Sequence, residues 1–231
     1  MSRFNRVGRT RPEQDVGASQ FGVGFVDILF GLVVTTAVEP LAQAGAGLLQ
    51  RPQSDVSETR LAHLALAFVV SLSSWIGYHQ SKQYPKFAIK LVNLPLVMFG
   101  LDVAMVVTYY VIVATAEPVG ASADARPEFV LVGFVFVLYS VWDLLGWRVW
   151  GDPAYALVLQ RSAEKQVGPR RKVTFASTAI VVVSSVFVWR DHPQSPRVVI
   201  ALDAGLVLLA VIYRLTKQLV DPDVLVRHAE A

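Results

Sequence analysis

Apolar residues collect in six long runs, at 21–41, 61–79, 88–115, 127–147, 172–189 and 198–216, with short polar stretches between them. Each run approaches or exceeds the ~20 residues a helix needs to cross a hydrocarbon core of ~30 Å. None shows the strand-length alternation of a barrel, and backbone groups in lipid must be satisfied within their own segment. The chain is therefore expected to be an all-α polytopic membrane protein. Six transmembrane helices would occupy 21–220, between a flexible basic tail at 1–20 and a short tail at 221–231. Pro40 should end or kink the first helix, and Pro95 should kink the third. Pro52, Pro118 and Pro127 punctuate the loops. No internal repeat is evident, which weighs against a transporter built from two related halves.

Composition agrees: 54% of residues are hydrophobic and 17% charged, against about half and a quarter in soluble domains. The opening run is longer than a signal-peptide core and no A-x-A-like site follows it closely. The absence of cysteine excludes disulfides and thiol chemistry. A net charge of +3 could suggest nucleic acid, but its distribution gives a simpler reason. With the N-terminus inside, sixteen of the 21 Lys and Arg residues fall on the inner segments. Basic residues gather on the cytoplasmic side, so both termini are expected in the cytoplasm. The short loops fit a bacterial inner (plasma) membrane. The longest inner connection, about 148–171, contains YALVLQRSAEKQV, a candidate interfacial helix. Trp75, Tyr78, Trp147, Trp150 and Trp189 stand at span boundaries, as in an aromatic belt.

Ionisable groups within spans are costly, and each is a functional candidate. Here they are Asp27 and Glu39 in span one, Asp102 in span three, Asp143 in span four and Asp203 in span six. No span carries a central Lys or Arg, so an ion-pair network is not expected. Each acid could instead be a hydrogen-bonded packing carboxylate, and Asp143, near Arg148, is read that way. GxSxG, HExxH and phosphate-loop motifs are absent. His63, His79, His192 and His228 are dispersed without metal-ligand spacing. No enzyme activity, metal or cofactor is expected.

Residues three, four and seven apart share a helix face. In the first run Gly24, Asp27 and Gly31 make a small face with one carboxylate, suited to close helix packing. A second face holds Phe25, Ile28, Leu32, Thr35, Thr36 and Glu39, passing from bulky and apolar to hydroxyl to acid. Hydroxyl and carboxylate oxygens along a water-filled path can replace part of a cation's hydration shell. Alternatively, the threonines bond back to the preceding turn and Glu39 lies at the outer interface.

Phe25, Asp27, Leu32 and Thr35, spaced F-x-D-x-x-x-x-aliphatic-x-x-T, resemble the first-helix signature of the transmembrane protein 175 potassium channels. WIGYH, with Trp75 and His79, resembles the motif ending that family's second helix. KLVNLPLVMF, with Asn93, resembles its L-x-N-L pattern in helix three. These matches cover about the first half of the chain. Phe21 and Val26 stand where the family has arginine and serine, so Asp27 needs another partner. The resemblance implies a tetrameric channel for potassium or another monovalent cation, including protons, with helix one lining the pore. Leu32 would be its constriction, Ile28, Thr35, Thr36 and Glu39 would also line it, and Phe25, Asp27, Trp75, His79 and Asn93 would pack the helices. Thr36 and Glu39 depart from the family's mostly apolar continuation. Two other readings remain open. One is a non-conducting membrane subunit or scaffold that uses basic segment 161–172 to hold a soluble partner. The other is a proton-coupled carrier with Asp102 and Asp203 as relay groups.

Overall fold

The computed structural model describes residues 13–50, 55–81, 94–116, 124–150, 163–193 and 195–219. These residues form six helices: α1 (Glu13–Gln50), α2 (Asp55–Ser81), α3 (Leu94–Ala116), α4 (Arg126–Trp150), α5 (Ala163–Asp191) and α6 (Pro196–Leu219). All six are long and apolar enough to cross a membrane, and the chain is an integral membrane protein.

The prolines behave differently from expectation. α1 runs through Pro40 to Gln50 without ending. The missing proline N–H leaves the Thr36 carbonyl without its usual helical donor. Pro95 is the second residue of α3, not a mid-span kink. In a first turn the absent N–H would be unpaired in any case. α1 begins at Glu13, inside the segment read as a tail. Most of the proposed interfacial helix lies outside the described residues, and its last residues open α5.

The helices form a ring. α1 packs on α2 and α3, α2 on α6, α6 on α5, α5 on α4 and α4 on α3, while α2 also meets α3. Every helix therefore has an inner and an outer face. On α1 the inner face is Val26, Phe30, Val33 and Ala37, all buried, at helical spacings of three and four. Tyr139 of α4 stacks on Tyr213 of α6 at 5.7 Å, and Phe136 meets both rings edge-on.

Lipid is as apolar as a leucine side chain, so association in a membrane depends on close packing and interhelical hydrogen bonds. The α4–α5 seam has both. Ser185 Oγ lies 2.9 Å from the Phe129 carbonyl oxygen, and Thr178 Oγ1 lies 2.9 Å from that of Phe136 and 2.8 Å from Ser140 Oγ. Gly133 permits this approach: a Cβ there would come within 3.2 Å of Ser185 Oγ and 3.7 Å of Val181. The short turn into α6 is set by His192, at φ 47°, whose amide donates to the Val188 carbonyl at 3.2 Å. This is a left-handed helix cap.

Replacing Gly133 by leucine should overpack this seam and cost about 1–3 kcal/mol, seen as a lower thermal midpoint in detergent. Gly100→Ala, which adds a methyl where nothing lies within 4 Å, should leave that midpoint unchanged. Equal midpoints for Gly133→Leu and the parent protein would contradict the packing described.

Candidate functional site

The face of α1 turned away from the ring carries Ile28, Leu32, Thr35 and Glu39. Their spacing of four, three and four keeps them in one stripe. Ile28 and Leu32 are 72% and 55% exposed. Thr35 donates to the Gly31 carbonyl at 2.8 Å, and Thr36, half-buried beside the stripe, lies 2.9 Å from the Val33 carbonyl oxygen. The hydroxyl protons are thus spent within the helix. Their oxygen lone pairs remain as acceptors. Glu39 is exposed and accepts from Gln43 Nε2 at 3.2 Å.

Behind this stripe α1 meets α2 through a polar contact: Asp27 Oδ1 lies 3.2 Å from His79 Nε2. His79 is thus one partner of Asp27 within the chain. Trp75 meets the His79 ring edge-on at 4.9 Å, and Phe25, exposed on one side, faces Phe99 of α3 at 6.0 Å. Gly24 and Gly31 do not share in helix packing within the chain, since a Cβ at either would meet nothing within 4 Å. Asn93 lies outside the described residues, as do the side chains of Trp147, Arg148 and Trp150.

The other acids divide sharply. Asp102 is half-buried on α3 and acts electrostatically on Tyr78. Asp143 is not an isolated packing carboxylate. Lys217 Nζ of α6 donates to its Oδ2 at 3.1 Å, to Tyr213 Oη at 3.0 Å and to Thr174 Oγ1 at 3.3 Å. Thr174 itself donates to Asp143 Oδ2 at 2.5 Å. The expectation that the acids lack basic partners fails because α6 extends beyond the last apolar run and carries Lys217 back against α4. Toward the middle of the ring, Ser74 bonds Tyr139, whose hydroxyl is 2.9 Å from that of Tyr109. Beside these tyrosines the Arg214 guanidinium lies on Gly77, where a Cβ would fall within 2.2 Å of its nitrogens.

Asp203 belongs to a second interior cluster. His63 Nδ1 of α2 lies 2.8 Å from Asp203 Oδ2 and 3.5 Å from Glu128 Oε1 of α4. Glu128 and Asp203 are 2% and 1% exposed. Near it, Asp124 accepts the Arg126 backbone N–H at 3.0 Å and pairs with its guanidinium at 2.6 Å. That guanidinium holds the Asp124 carboxyl below the usual carboxylate range, so it stays ionised and neutralised. Arg126 also donates to His192 Nδ1 at 2.6 Å and covers the Trp189 ring at 5.5 Å.

Sequence reasoning missed His63, Glu128 and Lys217, each placed at a span end or in a loop. One signal was present. Thr59, His63, Ala67, Ser71 and Ser74 repeat at four, four, four and three, a small and polar face along all of α2. All five are buried.

No family model matches the sequence, and neither a curated protein nor a solved structure matches it.

Proposed function

We propose that the chain is one subunit of an oligomeric cation channel in which copies of α1 surround the ion path. The observation that carries this reading is the polar stripe on the outer face of α1. Glu39 stands eight residues before the end of its span at Gly47, about 12 Å along the axis. An acid facing lipid at the centre of a helix costs roughly 2.5–3.5 kcal/mol on insertion scales. Water in a path between subunits relieves that cost. The glycines of α1 support the same arrangement. Gly24, Gly31, Gly45 and Gly47 would each accept a Cβ without contact in the single chain, and glycine in a transmembrane helix permits close approach of a neighbour.

In this reading Leu32 and Ile28 narrow the path and gate it by size and dewetting. Thr35, with Thr36 beside it, offers hydroxyl oxygens, and Glu39 concentrates cations at the outer mouth. The cation is potassium or another monovalent ion, and the proton is a second candidate. A tetramer in a bacterial inner membrane, with both termini cytoplasmic, completes the proposal. It draws on the resemblance of α1 to the transmembrane protein 175 signature.

Flux from potassium-loaded proteoliposomes tests it. The protein should release potassium faster than empty vesicles, and Leu32→Ala should raise the rate further by opening the constriction. Glu39→Gln should lower the rate by about an order of magnitude at low ionic strength and by less at high. No flux above the empty-vesicle level for K⁺ or H⁺, together with a soluble protein co-purifying in stoichiometric amount, would favour the scaffold instead. Substrate uptake abolished by Asp203→Asn, without channel flux, would favour the carrier.

A further inference from the structure

The His63, Glu128 and Asp203 cluster has no part in a path lined by α1, and three separate helices are needed to assemble it. We propose that these three residues form a buried proton-binding site that holds two protons, and that its occupancy sets how tightly α2, α4 and α6 close at this end of the ring.

Two carboxylates converge on one imidazole nitrogen, at 2.8 and 3.5 Å. Both acids are almost wholly buried, yet Glu128 Oε2 and Asp203 Oδ1 have no hydrogen-bond partner. A buried polar atom without a partner costs about 1–3 kcal/mol, more when it is charged. Stripped of exchangeable protons, the cluster carries two negative charges, and one proton on the imidazole still leaves one uncompensated. Two protons make it neutral, as imidazolium, carboxylate and carboxylic acid or as imidazole with two acids. Each proton arrives from water and forms an N–H or an O–H; nothing is oxidised or reduced.

Among the described residues His63 is the basic group in contact with either carboxylate. Asp124 is the further group whose charge reaches both His63 and Glu128, and it adds negative charge that Arg126 already balances. His192 is engaged with the same guanidinium. Glu58 and Arg60 stand about one turn before His63 on α2, and Arg197 begins α6. Among the described residues no group of His, Asp and Glu is arranged to hold a metal ion. Proton relays in membrane proteins are built from such residue types. The consequence of proton loss is repulsion between α4 and α6 at their meeting point with α2. This inference rests on contacts within one chain and is independent of whether α1 lines a pore.

Difference infrared spectroscopy on the full chain in vesicles, between acid and alkaline buffer, reads the site directly. A carbonyl band of a protonated carboxylic acid should appear at acid pH, shift in D₂O, and be lost or weakened in Glu128→Gln and in Asp203→Asn. A spectrum unchanged by both substitutions would overturn the proposal. The thermal midpoint should fall as the buffer becomes alkaline, and the non-ionisable Glu128→Gln should remove most of that fall. An alkaline fall of the same size in the parent and in both amide variants would overturn it too. Restoration of the alkaline midpoint by Na⁺ or K⁺ but not by choline would show a metal-cation site instead. Should the amide variants fail to fold, His63→Gln serves. Without the imidazole both carboxyls need a proton, so the acid band should persist at acid pH, and its absence would refute the assignment.

Discussion

The ring depends on how α6 is held. At one end Asp203 reaches His63 of α2; at the other Lys217 reaches Asp143 of α4 and Thr174 of α5. Fourteen residues separate the two anchors, about 21 Å along the helix. Membrane helices gain little from burying apolar surface against one another. Polar contacts, each contributing about 0.6–2 kcal/mol, then weigh heavily in selecting one register. With both ends of α6 tied to helices on opposite sides, neither rotation nor sliding leaves both contacts intact. Closing the circle from α2 to α5 follows from that pinning. The serine and threonine seam between α4 and α5 completes it.

Polar groups are distributed unevenly within this frame. Along the buried face of α6, Asp203 gives way to Leu206 and Ala210 before Tyr213. Opposite them on α2 lie the buried Ala67 and Val70. On α6 an apolar step thus separates the two polar clusters, while on α2 the buried Ser71 and Ser74 continue the polar face. The outer face of α1 has no such division: Thr35 and Glu39 follow Leu32 without a return to bulky apolar residues on the same stripe.

Six spans, their order and the outward stripe on α1 were legible in the sequence because hydropathy and helical spacing are local properties. Ile28, Leu32, Thr35 and Glu39 could be grouped from their intervals alone. Contacts between helices were less legible. Asp27 with His79 joins residues 52 positions apart, and Asp143 with Lys217 joins residues 74 apart. Nothing in the spacing of either pair announces the other member. Glu128 illustrates a second limit. It sits in the first turn of α4, where hydropathy places a residue at the water boundary, but packing against α2 and α6 closes over it. Lys217 was misplaced for the same reason at the opposite end. Pro40 does not end α1, because a helix anchored by its neighbours tolerates one lost backbone bond.

The double anchoring of α6 also orders the birth of the protein. Chains enter the membrane as they are synthesised, with earlier segments first, and α6 follows the other five helices. Until it arrives, His63 lacks Asp203, Asp143 lacks its lysine, and Gly77 has no guanidinium lying on it. Before α6 inserts, Asp143 therefore stands without the lysine that pairs with it. Insertion of α6 brings Asp203 to His63 and Lys217 to Asp143 together.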